Sequence, residues 1–303
     1  MKLSRPNAGV FPPVPTILDS AGKFDRAGMK LLIDRLIEQG VHGMLFLGTA
    51  GEFTLFTAEQ REEIAEACLE YTNGRIPAWI GTGSNTVADT LRLSRHAAEH
   101  GATGIVIMNP YYYKLSEDAL LAHFAAVLEA VDVPLMLYNF PAMTGQDLSP
   151  AFVARLAAHY PNVLGIKDTV DQLSHIRQMI MQVKAVSPDF SVFCGFDEYL
   201  LPTLAAGGDG AIAASANFAP ELMLGVYDSF QKGDLAGVLD FQKRLIEIPA
   251  LYAIDDPFVA SIKEAVRLSG LPVSTYSLAS PGVWSADHED RLKQIFSRAG
   301  ISH

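Results

Sequence analysis

Cysteine is scarce in this 303-residue sequence, which contains only Cys68 and Cys194. Two thiols cannot form a disulfide framework in a chain of this size, and they are typical of a reducing compartment, so we expect a cytoplasmic protein. No stretch approaches the ~18 apolar residues of a membrane span. The opening residues, MKLSRPNAGVFPPVP, contain no apolar run of the kind found in signal peptides, so we expect no signal peptide.

Basic residues are also few: 23 lysines and arginines stand against 34 acidic residues, giving a net charge of −11. An acidic surface argues against nucleic acid or an anionic membrane as a partner. Apolar residues make up 49% and charged residues 19%, which is a globular composition. If the substrate is an anion, a local feature must therefore overcome the overall negative field.

Short apolar runs recur along the chain and predict buried strands. They read HGMLFLGT, IPAWIGTG, GIVIMNP, PLMLYNFP, VLGIKDT, SVFCGFD and DGAIAAS, and the middle five begin no more than 30 residues apart. Near-continuous apolar runs are typical of parallel strands that are covered on both faces. GVFPPVPTI supplies an eighth such segment near the start of the chain.

Helical patterns lie between these runs. Apolar residues follow helical spacing before Gly40, Thr57 to Gln60 match a capping box, and Ser149 precedes a proline as an N-cap would. Eight strand–helix units predict an α/β fold of the (βα)8 TIM-barrel type over residues 1–232. Residues 233–303 show helical patterns without a strand, which predicts a C-terminal helical extension packed on the barrel.

One helix of this extension is predicted in DDPFVASIKEAVRLSG. Asp256 stands where an N-cap would, with Pro257 at the first helical position and Gly270 just past the end. The sequence shows no Ser/Gly-rich linker before the extension.

Lys167 ends an apolar run, where a charged side chain needs an explanation. At the carboxyl end of a barrel strand its amine would face the active site, and a neutral amine there can attack a ketone to form a Schiff base. Tyr138 ends the preceding strand and could move protons. The glycine-containing turn from Leu47 to Phe53 could hold a carboxylate, with Thr49 adding a hydroxyl. The alternatives are a snorkelling lysine, an amphipathic core tyrosine and an ordinary turn.

Taken together, four motifs resemble the dihydrodipicolinate synthase / N-acetylneuraminate lyase family. They are GIKDT around Lys167, YNFPAMTG around Tyr138, GTAGE around Thr49, and NPYYY after the fourth strand. The resemblance runs from about Gly9 to the final helices. It implies a class I, Schiff-base enzyme that acts on pyruvate without a metal or other cofactor, and a homotetramer built as a dimer of dimers.

The resemblance also implies roles for individual residues. Lys167 would form the Schiff base and Tyr138 would be the general acid/base. Thr49 matches the first hydroxyl residue of the carboxylate-binding turn, while Ala50 replaces the second hydroxyl often found there. Tyr112 matches the tyrosine that reaches into a neighbouring subunit's site in related synthases.

The remaining site positions concern the substrate. Gly195 and Ile212 match positions that line the site near the lysine. Met143 stands where dihydrodipicolinate synthases have the arginine that binds the second substrate's carboxylate, and a thioether cannot replace a guanidinium. Two longer stretches, YNFPAMTGQDL and GGDGAIAASANFAP, resemble those of bacterial 2-keto-3-deoxygluconate and pentonate aldolases. We therefore expect a lyase that cleaves a 2-keto-3-deoxy sugar acid to pyruvate and an aldehyde.

Other functions stay open at this point. A dihydrodipicolinate synthase or a keto-deoxy acid dehydratase could use the same Schiff base, and a pyruvate-binding regulatory protein could use the same scaffold without turnover. IGTGSNT and GGDG are weak matches to dinucleotide and phosphate loops. His96 and His100 have metal-ligand spacing, but the sequence shows no third ligand motif nearby. We therefore expect them to interact with the helix dipole and predict no metal site.

Overall fold

The computed structural model describes residues 8–282 and 284–302. The first seven residues of the predicted barrel segment, on which the signal-peptide expectation partly depends, lie outside the described residues. So do residues 283 and 303 of the predicted extension.

Eight parallel strands form one sheet in the described part of the chain. From the second strand to the eighth, each strand pairs with the next one in sequence, and the first strand pairs with the last. A bridge between Pro13 and Leu45 joins the first strand segment to the second and closes the ring. The TIM-barrel prediction is confirmed. The strands are β1 (Gly9–Val10), β2 (Met44–Phe46), β3 (Ala78–Gly81), β4 (Gly104–Met108), β5 (Leu135–Asn139), β6 (Val163–Asp168), β7 (Ser191–Cys194) and β8 (Gly210–Ala211).

The first strand is shorter than its apolar run suggests. Regular pairing covers two residues, because Pro12, Pro13 and Pro15 follow at once and a proline has no N–H to donate to a neighbouring strand. The backbone nevertheless stays beside β2, since Val14 donates to the carbonyl of Leu45 at 2.8 Å.

Twelve α-helices lie in the described residues, and those of the barrel alternate with the strands. Three of them follow residue 232, and no regular strand does in the part of the extension that the structure describes. The division into barrel and extension as separate units stays a prediction. The helices are α1 (Arg26–Glu38), α2 (Ala58–Thr72), α3 (Val87–Glu99), α4 (Glu117–Leu128), α5 (Pro141–Thr144), α6 (Pro150–His159), α7 (Leu173–Val186), α8 (Leu200–Ala205), α9 (Pro220–Lys232), α10 (Leu235–Leu245), α11 (Val259–Leu268) and α12 (Ala286–Ala299).

Local helix signals mostly predict the observed ends. Thr57 forms a complete capping box with Gln60, Ser149 caps α6, and Gly40 has the left-handed φ of +83° expected after a helix. The prediction that Asp256 is the N-cap of the helix in DDPFVASIKEAVRLSG is wrong. Helix α11 begins at Val259, Phe258 occupies its N-cap position, and no side-chain cap forms there.

The core runs continuously through the barrel and into the extension. Phe46, Trp79 and Phe193 are fully buried in the barrel, and Phe296 of α12 stacks on Phe218 just before α9. Within the described residues, no helix is both long enough and apolar enough to cross a membrane.

Candidate active site

Strand register places the two predicted catalytic side chains next to each other. Tyr138 of β5 is the direct partner of Lys167 of β6, near the carboxyl ends of both strands. The Lys167 Nζ atom lies 4.4 Å from the centre of the Tyr138 ring. Each residue is only 4% exposed, so the pair is desolvated.

The surroundings of Lys167 distinguish it from a snorkelling lysine, whose amine would reach bulk water. Its side chain is only 4% exposed and lines an internal cavity, and among the described residues no carboxylate forms an ion pair with its amine. The π face of Tyr138 is its electron-rich neighbour. The amine is therefore placed inside the protein without a partner that would occupy it.

The turn after β2 has an unusual backbone. Leu47 and Glu52 flank it with φ values of +55° and +58°, which non-glycine residues adopt at a cost of ~1 kcal/mol or more. Gly81 allows the turn to approach β3, since a Cβ there would lie 2.1 Å from the Leu47 carbonyl oxygen. Strained backbone that persists in this way is common at functional sites.

The turn presents unused donors towards Tyr138. The N–H groups of Gly51 and Glu52 donate back within the turn, whereas those of Thr49 and Ala50 donate to no acceptor among the described residues. The Thr49 hydroxyl lies 3.1 Å from the Tyr138 hydroxyl, and either can be the donor. The turn thus offers two backbone donors and one hydroxyl at the edge of the site.

A polar network fixes the strand ends behind this pair. Asn139 and Asp168 follow Tyr138 and Lys167, and the Asn139 amide donates to Asp168 at 2.9 Å and to Asp147 at 2.8 Å. His175 lies between the two carboxylates, 2.9 Å from Asp168 and 3.3 Å from Asp147. Although burial opposes protonation, these hydrogen bonds raise the pKa of His175 to about 10. The protonated ring therefore donates a hydrogen bond to each of the two carboxylates.

A cavity of about 160 Å³ opens above Lys167. Six residues singled out from the sequence line it together. Gly195 is required by the packing of this wall, because a Cβ there would lie 1.9 Å from the Thr169 hydroxyl oxygen. The six residues are Thr49, Ala50, Tyr138, Lys167, Gly195 and Ile212.

Two predicted site residues lie elsewhere. Tyr112, after β4, is 86% exposed with a φ of +83°, and it lines a separate surface hollow beside Tyr111 and Tyr113. Met143 lies on the short helix α5 and is 51% exposed, outside the cavity wall. Within this single chain, neither reaches Lys167, and their roles stay predictions.

Sequence reasoning missed several wall residues. The Thr169 hydroxyl is buried without a hydrogen-bond partner, and its position as the last residue of the GIKDT motif was a usable signal. Tyr252 and Phe258 come from the extension and had no local signal. The Tyr252 hydroxyl donates to Asp197, and burial together with this carboxylate raises the pKa of Tyr252 well above its ordinary value, so it keeps its proton.

Residues of the extension also hold the turn after β2 in place. Lys263 of α11 is fully buried and lies 2.5 Å from a Glu52 carboxylate oxygen. The other Glu52 oxygen accepts from the Ser277 hydroxyl at 2.8 Å and the Ala279 N–H at 2.9 Å. Every oxygen of this buried carboxylate is thereby satisfied, and the end of the turn is held by residues far away in the sequence.

A larger hollow of about 460 Å³ lies in the extension. Asp255, Glu264 and Trp284 are among its walls, and neither Lys167 nor Tyr138 is. Its carboxylates already have partners, since Asp255 accepts from Ser280 and Glu264 pairs with Arg267. The smaller cavity, with its unpaired amine, is therefore the better candidate for chemistry.

Comparison with known proteins identifies the family of the chain. The profile of the Dihydrodipicolinate synthetase family matches residues 6–299. The chain belongs to this family. Family members named as aldolases are lyases, and we conclude that this protein is an enzyme of that class.

Two curated relatives come from Escherichia coli K12. YagE, provisionally named a 2-dehydro-3-deoxy-D-gluconate aldolase, is 48% identical over 290 residues and covers 96% of each chain. YjhH, named a probable 2-dehydro-3-deoxy-D-pentonate aldolase, is 44% identical over 294 residues, covering 97% of this chain and 98% of its own.

Solved structures show the same fold. The crystal structure of YagE in complex with pyruvate superposes with a TM-score of 0.95 at 44% identity, covering 97% of this chain and 99% of YagE. Dihydrodipicolinate synthase from Thermotoga maritima gives a TM-score of 0.90 at 29% identity, covering 97% of this chain and 99% of its own.

Proposed function

We propose that this enzyme is a class I aldolase that cleaves a 2-keto-3-deoxy sugar acid of the gluconate or pentonate type to pyruvate and an aldehyde. The observation that carries the proposal is the amine of the buried Lys167 side chain, which lies over the Tyr138 ring and has no carboxylate partner among the described residues. Such an amine is available as a nucleophile.

The reaction begins when Lys167 condenses with the C2 ketone and releases water, which gives an iminium. The free N–H groups of Thr49 and Ala50 receive the C1 carboxylate, and the Thr49 hydroxyl adds a third donor. This local group of donors is what overcomes the net charge of −11 when an anionic substrate binds.

Tyr138 acts next as general base. It takes the proton of the C4 hydroxyl, relayed with Thr49 at 3.1 Å, and the C3–C4 bond breaks to release the aldehyde. The bonding electrons flow into the iminium and leave an enamine. Protonation at C3 and hydrolysis then return pyruvate and the free lysine. The iminium is the electron sink, so the proposal includes no metal or other cofactor.

The cavity wall supports a neutral tail on the substrate. Lys167 is the sole basic side chain among the described residues that line it. No guanidinium is among the described residues that line the cavity, so none there can bind a second carboxylate, and the unpartnered Thr169 hydroxyl can hydrogen-bond a polyol. The provisional names of YagE and YjhH, and the binding of pyruvate by YagE, agree with this substrate class.

Assembly and location complete the proposal. We expect a cytoplasmic homotetramer, a dimer of dimers, in which the exposed Tyr112 reaches a neighbouring subunit's cavity. Cys68 and Cys194 are free and buried, which suits a reducing compartment. Burial raises the pKa of both thiols, that of Cys194 to about 12, so neither is a competing nucleophile at neutral pH.

Product analysis on a panel of synthetic keto acids tests the function. We expect pyruvate and glyceraldehyde from 2-keto-3-deoxygluconate, or pyruvate and glycolaldehyde from a 2-keto-3-deoxypentonate. Condensation of pyruvate with aspartate semialdehyde at a higher kcat/KM than any cleavage would identify a synthase instead. A product that retains all carbons but has lost water would identify a dehydratase, and binding without turnover a regulatory protein.

A further inference from the structure

A cluster of metal-ligating side chains lies on the outside of the barrel. His96 belongs to α3, His100 directly follows that helix, and Glu66 faces them from α2. The candidate donor atoms of the three side chains all lie within 4.8 Å of one another. The sequence showed the two histidines but no third ligand, because Glu66 comes from a different helix.

The two imidazoles are already arranged side by side. Their ring centres lie 4.1 Å apart, with planes 26° from parallel. His100 Nδ1 lies 2.8 Å from the carbonyl oxygen of His96. Since a carbonyl can only accept, Nδ1 carries the proton, and in the neutral ring the lone pair is on Nε2. Hydrogen bonds of this kind orient the histidine ligands of most metal sites.

The electrostatic surroundings favour a cation. His96 is partly buried, and the carboxylate of Glu66 supplies negative charge beside the two imidazoles. Glu66 forms no ion pair with a lysine or arginine among the residues that the structure describes. Arg92, which precedes His96 by one helical turn, is already bound by Glu59 and Glu62, at 2.7 Å each.

We infer that Glu66, His96 and His100 form a binding site for a first-row transition-metal dication, with Zn²⁺ as the representative ion. Two histidines one helical turn apart are a known zinc-ligand arrangement, and two histidines with one carboxylate leave a fourth position for water. Tetrahedral donors at about 2.0–2.1 Å from zinc lie about 3.3 Å apart, so these side chains would rotate on binding to bring their donor atoms together. Nitrogen ligands disfavour Mg²⁺ and Ca²⁺.

The site is separate from the proposed chemistry. Helices return the chain to the amino end of the next strand, so the end of α3 lies opposite the face that holds Lys167. A bound ion would join α2 to α3, two neighbouring helices of the outer layer. Its presence or absence is therefore independent of whether the protein cleaves sugar acids.

Titration of untagged, chelator-stripped full-length protein with Zn²⁺ alone tests the inference by calorimetry, with Co²⁺ absorption as a second readout. We expect one saturable site per chain and a Co²⁺ spectrum typical of four-coordinate nitrogen–oxygen ligation. His96→Ala and His100→Ala should each weaken binding by at least ~10-fold, and Glu66→Gln should weaken it as well. Zn²⁺ should raise the thermal midpoint of the wild type only.

His159→Ala is the matched control, because His159 is an exposed histidine at the end of another helix, α6. It should bind Zn²⁺ as the wild type does. All ligand substitutions are at the surface or partly exposed, and circular dichroism of each variant verifies its folding. The inference is overturned if wild-type binding is not saturable below millimolar Zn²⁺, or if both histidine variants bind as tightly as the wild type.

Discussion

Lys167 and Lys263 are both buried, yet their surroundings are opposite. Lys263 is fully buried, and its amine donates to Glu52 at 2.5 Å and to the Tyr276 carbonyl at 2.7 Å. Lys167 is 4% exposed, contacts the Tyr138 ring, faces a cavity and has no carboxylate partner in the described chain. Burial alone therefore does not make a lysine reactive.

The comparison separates two uses of a buried amine. The hydrogen bonds that Lys263 donates connect α11 to the turn after β2, so substitution of Lys263 should mainly lower the stability of the fold. Lys167 has no such partner among the described residues, so its amine is available to an incoming ligand, and substitution of Lys167 should mainly lower activity. Substitutions at the two positions should therefore have opposite effects: one should lower stability more than activity, and the other activity more than stability.

Lys167→Met should abolish sugar-acid cleavage while leaving the thermal midpoint near that of the wild type. The covalent path is lost, so the decrease should exceed the ~10²–10⁴-fold typical of losing a general acid/base. Steady-state pyruvate release and a thermal unfolding scan measure both effects. Cleavage within tenfold of the wild type would mean that Lys167 is not the nucleophile.

Tyr138→Phe should lower kcat by ~10²–10⁴-fold, because the ring that packs on Lys167 stays while the proton-transferring hydroxyl is removed. Trapping of pyruvate on the enzyme should persist at least in part. Single-turnover kinetics separate the two steps. Thr49→Val, which removes the partner hydroxyl, is the matched variant, and unchanged turnover in Tyr138→Phe would assign the proton to another group.

Lys263→Met should destabilise the fold by about 3–5 kcal/mol, because it leaves Glu52 buried without its counter-charge. Denaturant unfolding monitored by tryptophan fluorescence measures the loss. The double variant Lys263→Met/Glu52→Gln should regain part of it, since no buried charge then remains unpaired. A single variant as stable as the wild type would contradict the structural assignment of Lys263.

His175 should make stability depend on pH. Its pKa is raised to about 10 in the folded protein, against about 6.5 for an unperturbed histidine. The stabilisation is therefore fully present below pH ~6.5 and is lost as the pH rises through ~10. His175→Gln should lower the thermal midpoint at neutral pH and flatten its decline over this window. Parallel pH–stability curves for both proteins would contradict the charged network.

Met143→Arg should have the smallest effect. Because Met143 is half exposed and outside the cavity wall, we expect a modest loss of sugar-acid cleavage, within about tenfold, and a small gain at most in condensation with aspartate semialdehyde. The kcat/KM values of both reactions in both proteins measure it. A gain that makes condensation the dominant reaction would show that this single position selects the substrate.

The fold and the pair of Lys167 and Tyr138 could be predicted because the sequence signals for them are local. Parallel strands with both faces covered read as apolar runs, and Lys167 and Tyr138 each follow such a run directly. The caps at Thr57 and Ser149 were predictable for the same reason, since a cap is decided within one helical turn.

The other contacts of the site could not be predicted from the sequence, because they join segments that meet only after folding. Glu52 and Lys263 are separated by 211 positions, and Tyr252 reaches the cavity from the extension. Glu66 joins the His96 cluster across two helices. Asp256 shows the opposite failure, a valid local capping signal that the packing of the extension does not use.

The proposed mechanism requires that Lys167, and not Lys263, is the reactive amine. Incubation of the enzyme with pyruvate and borohydride, followed by digestion and peptide mass spectrometry, tests it directly. We expect a reduced pyruvyl group on the peptide that contains Lys167, none on the peptide that contains Lys263, and no adduct in Lys167→Met. An adduct on another lysine, or the same mass gain in Lys167→Met, would contradict it.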